Sequence, residues 1–367
     1  VIALFKVFMS KYASLRVSNV LSSGYIGEGP LVKEFEEAIG RYIGNPHVVC
    51  VNSCTSALML ALRIAGVRVG DFVATTPMTC LATNEAILAL GAHPMWVDVC
   101  TQTGNMLPDS LSTVLRTTSG IKAVMCMHWG GVPCDVLKIN DVARMHGIPV
   151  IEDAAHAFGT EIDHTKIGNH SDFACFSFQA IKTVTCGDGG ALVVKNMAVV
   201  KRARLLRWFG LDRELSTDMR CHQDPPEFGY KMHMNDISAA IGLSNLKLVG
   251  GILKTARENA QYYDDAFENM LNVRAAHLPD SVRPSRWLYT VIVSDPAEFI
   301  THMRNCGVAC SKVHDRNDTK TMFAGSRCNL PGVTSFDKDH VCIPTGWWVT
   351  KEQRDHIISS VKEYEDG

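Results

Sequence analysis

The sequence shows no charge surplus of either sign: 36 Lys and Arg against 38 Asp and Glu in 367 residues leave a net charge of −2. Gripping a phosphate backbone takes a basic excess, so nucleic acid is not an expected partner. Long hydrophobic runs are also lacking, and no uninterrupted apolar stretch approaches bilayer length, which argues against a membrane span. The opening segment VIALFKVFMS is interrupted by Lys6 and followed by no small-residue cleavage pattern, so packing rather than targeting is expected of it. Repeats, low-complexity tracts and long flexible linkers are missing too. Cysteine, in contrast, is plentiful. Its 13 copies are odd in number, scattered, and often set in apolar runs such as VVCV and AVMCM. That pattern reads as buried free thiols in a reducing, cytoplasmic setting rather than a disulfide framework.

What is present is an alternation of two periods. Leu31, Phe35, Ala38, Ile39 and Tyr42 share one helical face, HVVCV reads as a strand, and a helix over 55–65 is ended by Gly66. The segments DFVATT, PMWVDV, IKAVMCM and IPVIED read as buried strands, with helices expected over 81–90, 110–116 and 135–146. This rhythm predicts an α/β fold with a mostly parallel sheet covered by helices, its ligands at the carboxyl ends of the strands. From about residue 250 the texture changes to a polar helix over 255–269, a strand in WLYTVIVSD and a last helix over 351–364. The expected division is a large domain over 1–250 and a smaller α+β domain over 251–367. A Rossmann-type oxidoreductase would need a glycine fingerprint after the first strand, where NSCTSA stands instead.

Chemistry concentrates in three places. In IPVIEDAAHAFG, Glu152 and Asp153 end a strand and should point to opposite faces, so one of them faces the cleft. In FSFQAIKTVTCGDGG, Lys182 sits between an aromatic run and a glycine cluster, where burial among Phe176, Phe178 and Ile181 would lower its pKa. A carboxylate and a reactive lysine at a sheet edge are the pair that pyridoxal phosphate (PLP) chemistry requires. In VNSCTSALMLAL, Ser53, Thr55 and Ser56 with the free N–H groups of a helix start form a phosphate site. Taken singly, each has an ordinary reading as a surface lysine, a helix cap or an N-cap.

Together with GYIGEGPLVKEFE, TTPMTCLATNEAI, GYKMHMNDISAAIGL and KVHDRND, these motifs resemble the DegT/DnrJ/EryC1/StrS sugar aminotransferases over most of the chain. The resemblance implies the PLP-dependent transferase fold type I. It implies that Lys182 forms the Schiff base with the cofactor, Asp153 pairs with the pyridine nitrogen, and Ser177 and Thr55 contact the phosphate. His156 stands where glutamine is common near the phenolic oxygen. The sequence departs from the family at Cys54, in place of a glycine of the phosphate turn, and at Cys80, in place of a stacking aromatic. Gln179 replaces a frequent histidine. Lys231, in place of an asparagine, would reach the cofactor of a neighbouring subunit, and a homodimer with shared active sites is implied. Tyr25, His314 and Arg316 lie where sugar-nucleotide contacts gather; the other readings are packing for Tyr25 and a surface ion pair for Arg316. Trp347 and Trp348 are expected to pack at a core or domain interface.

Retention of lysine at 182, where related dehydratases carry histidine, implies transamination from L-glutamate to a nucleotide-linked keto sugar, with a 4-keto-6-deoxyhexose expected. No metal is implied. A regulatory protein that keeps the fold and binds PLP without turnover is the rival from another class.

Overall fold

The structure is a computed structural model describing residues 1–215 and 222–366. Helices α1 (Ala13–Ser23) and α2 (Pro30–Ile43) open the chain. The alternation follows as β1 (Val48–Val51), α3 (Cys54–Ile64), β2 (Phe72–Thr75), α4 (Leu81–Leu88), β3 (His93–Trp96), α5 (Pro108–Thr117), β4 (Ile121–Met127), α6 (Val136–Met145) and β5 (Val150–Asp153). A hairpin of β6 (Glu161–Ile162) and β7 (Thr165–Lys166) leads to β8 (Phe173–Ser177), β9 (Gly190–Val194) and α7 (Met197–Leu206). After α8 (Asp236–Leu246) and α9 (Val249–Phe267) come β10 (Val273–Ala275), β11 (Val282–Arg283), β12 (Tyr289–Val293), α10 (Pro296–Asn305), α11 (Pro331–Asp339), β13 (His340–Ile343) and α12 (Lys351–Asp366).

Seven strands form the main sheet in the order β1-β9-β8-β5-β4-β2-β3. Its inner strands pair in parallel, and β9 alone runs against both neighbours. Strands such as VVCV and FACFS are buried at every residue, which is what a sheet covered on both faces demands. The antiparallel turn from β8 to β9 has a direct consequence. Its register pairs Ser177 with Gly190, so residues 178–189, including Lys182, loop out where the parallel strands end.

The expected helical face of α2 is present, with Phe35 and Ile39 fully buried and Leu31, Ala38 and Tyr42 packed at its margin. Val32 and Ile43 share the burial, so the stripe is centred slightly to one side of the expected line. The largest departure is α9, which starts at Val249 and carries Gly250 and Gly251 inside it. Each glycine costs a helix about 1 kcal/mol. Burial of Val249, Ile252 and Leu253 outweighs that cost, a tertiary effect that local propensity does not report.

Helix α9 spans two cores. Val249 and Leu253 join the cluster around Phe35 and Phe178, whereas Ala260, Tyr263 and Phe267 join the one under a three-stranded antiparallel sheet, β10-β12-β13. The N-terminal segment packs as expected: Ile2 bridges to Val308, Phe5 stacks on Trp287, and the Trp348 indole donates to the Ala3 carbonyl. Among the described residues no single helix is long and apolar enough to cross a membrane, and all 12 described cysteines are free.

Candidate active site

Strand β5 ends in two buried carboxylates whose alternation sends them into separate surroundings, as the pleat requires. Glu152 is fully enclosed. His128 Nε2 donates to it at 2.9 Å and the Ser171 N–H at 3.0 Å, while His128 Nδ1 faces the Cys134 N–H at 3.0 Å. Burial pushes the Glu152 carboxyl up, but these donors win and hold it below the usual range.

Asp153 also receives two hydrogen bonds, one on each oxygen, but no histidine is among its donors. Thr83 Oγ1 donates at 2.6 Å and the Ala155 N–H at 3.0 Å, and burial outweighs both, so its carboxyl is raised above the ordinary range. Thr83 lies on α4 one turn in from the Cys80 cap, and its hydroxyl also meets that of Thr79 at 2.7 Å. The motif TTPMTCLATNEAI contains it, but sequence reasoning missed its role. A hydroxyl one helical turn past the cap was the available signal.

Lys182 is half-buried in the loop between β8 and β9. Its N–H donates to the Gln179 carbonyl, and Gln179 Oε1 accepts the Ile181 N–H, so the unusual glutamine ties the turn. Desolvation lowers the Lys182 ammonium to about 8, against the opposing attraction of Asp153, Cys80 and Cys54. Its Nζ stands 3.6 Å from the centroid of the Trp287 ring. Sequence reasoning missed Trp287, seeing in WLYTVIVSD only a strand.

His156 is buried, and its Nδ1 accepts the Gly130 N–H at 3.3 Å. Burial, with Lys182 and His314 nearby, holds it well below the usual histidine range, so the ring is neutral with its proton on Nε2. His314 lies parallel to it at 5.6 Å and is itself lowered to about 4, again by burial first. Among the described residues the buried His314 Nε2 has no hydrogen-bond partner.

The turn before α3 is built as a cradle. Ser53 caps the helix by accepting the Ser56 N–H at 3.1 Å, and Thr55 is half-buried in the first turn. A Cβ on Gly190 would stand 2.5 Å from the Ser53 carbonyl carbon, so only glycine lets β9 lie against this turn. Ser177, at the end of β8 opposite Gly190, accepts the Gln179 N–H at 3.3 Å. The Cys54 thiol points at the Cys175 carbonyl, 3.5 Å away, and Cys80 caps α4; burial raises both thiols.

Three residues stand apart from this cluster. All three guanidinium nitrogens of Arg316 are engaged, with Asp318 at 2.8 and 2.7 Å and Thr334 at 2.9 Å, so the ion-pair reading describes it. Holding a diphosphate would require that pair to open. Tyr25 is 54% exposed with its hydroxyl donating to the Glu28 carbonyl. The exposed Lys231 bridges by its backbone to Trp208, and the next residue, Met232, accepts the Asn52 N–H beside the turn before α3.

PLP fits this donor set. Asp153 is a desolvated carboxyl that makes no ion pair among the described residues, and a protonated ring nitrogen would supply one. The start of α3 leaves N–H groups without helical acceptors for a phosphate, and Lys182 is an amine made nucleophilic by burial. Fold and site together define a PLP-dependent transferase of fold type I. The chain belongs to the DegT/DnrJ/EryC1/StrS aminotransferase family, whose model matches residues 9–362.

Its relatives agree. It is 38% identical to the sugar aminotransferase CalS13 from Micromonospora echinospora, with a TM-score of 0.95 over 99% of this chain and 100% of that one. It is 31% identical to the spore coat polysaccharide biosynthesis protein SpsC of Bacillus subtilis, covering 96% of this chain and 94% of SpsC. It is 32% identical to UDP-4-amino-4,6-dideoxy-N-acetyl-beta-L-altrosamine transaminase of Campylobacter jejuni, covering 76% of this chain and 72% of the relative. The protein is a PLP-dependent sugar aminotransferase.

Proposed function

We propose that the enzyme moves an amino group from L-glutamate to a nucleotide-linked keto sugar, a 4-keto-6-deoxyhexose, in amino-sugar or surface-polysaccharide synthesis. The reading rests above all on one observation: β5 and β8 pair side by side, so the buried Asp153 that ends β5 and the Lys182 loop that follows β8 meet at the carboxyl end of the sheet. The names of the Campylobacter and Bacillus relatives point to the substrate class and its use.

Each residue then has a task. Bound PLP supplies a carbonyl carbon that takes up the amino group and a protonated ring that draws electrons from the substrate's Cα–H bond. Lys182 would hold the cofactor between turnovers and, once free, would carry the substrate's Cα proton across to it as a general base and then acid. Asp153, steadied by Thr83 and the Ala155 N–H, keeps the ring nitrogen protonated. Thr55, Ser177 and the start of α3, including the Cys54 N–H, would hold the phosphate, and Cys80 would line the site of the ring. The His156 Nε2–H donates toward the phenolic oxygen. His314, with its unpaired Nε2, and Tyr25 meet the sugar nucleotide, joined by Arg316 if its Asp318 pair opens. Lys231 serves the neighbouring subunit of a homodimer.

A half-reaction screen tests the substrate. The pyridoxamine form is loaded, nucleotide keto sugars are offered, and recovery of the aldehyde-form absorbance is followed. A 4-keto-6-deoxyhexose should restore it. Recovery with simple keto acids and with no nucleotide sugar would overturn the reading, and failure with every amino acceptor would favour the regulatory one.

A further inference from the structure

The loop carrying Trp287 is fastened to the end of the main sheet more firmly than a connection between strands requires. Ser285 Oγ donates to the His156 carbonyl at 2.7 Å, and the Leu288 N–H donates to the Gly130 carbonyl at 3.1 Å. Gly131 has φ +91°, and a Cβ there would lie 2.1 Å from Ser285 Oγ, so a glycine is needed for this approach. The indole itself is held on several sides. Its N–H donates to the Ile181 carbonyl at 2.8 Å, His156 packs on it at 3.9 Å, and Phe5 stacks at 5.2 Å with a 28° tilt. The group left against its ring is the Lys182 ammonium, 3.6 Å from the centroid.

An aromatic face attracts a cation most strongly where water is excluded. We propose that Trp287 is a positioning residue for Lys182: its face holds the ammonium whenever that nitrogen is not covalently engaged, and its link to Ile181 fixes where the amine returns. Trp287 thereby offsets part of the desolvation that acidifies Lys182. The other titratable groups facing the lysine are Asp153 from β5, Cys54 from α3, Cys80 from the cap of α4, and the neutral His156 and His314. Lys6 and Arg286 line the same small cavity of about 30 Å³. A substitution at 287 removes none of these groups, although His156 loses its ring contact.

The proposal rests on Lys182 being the reactive lysine, and the experiment separates the two claims. PLP is added to cofactor-free protein, the rate of the imine absorbance is measured against pH, and its half-point reports when Lys182 loses its proton. In Trp287→Leu the half-point should fall by about one pH unit, and in Trp287→Phe by less. Merely opening the pocket to water would raise it, so an unchanged or raised half-point in folded Trp287→Leu overturns the proposal. Should the leucine variant fail to fold, Trp287→Phe decides by the same sign. Lys182→Ala is the control. If it still forms the imine, the assignment of Lys182 fails; if it does not and the half-point stays put, only the role of Trp287 falls.

Discussion

Glu152 and Asp153 are neighbours on one strand, both buried, and their opposite fates separate a carboxylate that serves the fold from one that serves the chemistry. Glu152 faces a closed ring of donors, His128 and the Ser171 N–H, and is held below its ordinary range. Asp153 faces Thr83, Ala155 and a lysine in a cleft, and burial holds it above that range. A buried acid closed in by a histidine and a backbone N–H, whose donors outweigh its burial, is structural. One whose burial is not offset, in a cleft beside a lysine, is a request for a ligand.

The two therefore contribute to stability with opposite sign. Glu152, lowered in the folded state, adds stability that is present above its unfolded pKa and lost as pH falls through its folded value. Asp153, raised in the folded state, favours folding at low pH and costs stability once pH rises past its folded value, until a cationic ring nitrogen relieves it.

The comparison can be broken by substitution, in decreasing order of effect. Lys182→Ala should abolish turnover while still binding PLP without a covalent bond; full activity in that variant would remove the lysine from the mechanism. Asp153→Asn should lower kcat by about 100-fold or more, because ring protonation is lost at the moment charge develops. Its cofactor-free form should melt no lower than wild type, and calorimetry showing a clear drop would contradict the assignment. Glu152→Gln should do the reverse, costing about 1–3 kcal/mol in denaturant unfolding while leaving activity per folded molecule nearly intact. Thr83→Val removes one hydrogen bond to a charged oxygen and should lower kcat by about tenfold, read from steady-state rates with PLP saturating.

The sequence carried much of this. The βα alternation, the opposite facing of residues 152 and 153, and the burial of Phe176 and Phe178 follow from local pattern. Those two rings pack with Phe158 and Phe35, however, and the ring against Lys182 is that of Trp287. What it hid depends on contacts between distant residues. Trp287 reaches Lys182 across 105 positions of sequence, a separation no periodicity records. The start of α9 is set by what its apolar side chains bury rather than by its two glycines. Asn84 and Asn317, both buried, hydrogen-bond at 2.8 Å and tie α4 to the segment carrying His314 and Arg316, a link that neither motif announces alone. The antiparallel direction of β9 was also unstated, though the GDGG turn that permits it was visible.

The most direct test of the central claim is to trap the resting enzyme. The PLP-loaded protein is reduced with borohydride, digested, and searched by mass spectrometry for the pyridoxyl adduct. The adduct should lie on Lys182, in the peptide containing FSFQAIK, and should be absent from Lys182→Ala; an adduct on another lysine of folded wild-type protein would contradict the assignment of the site.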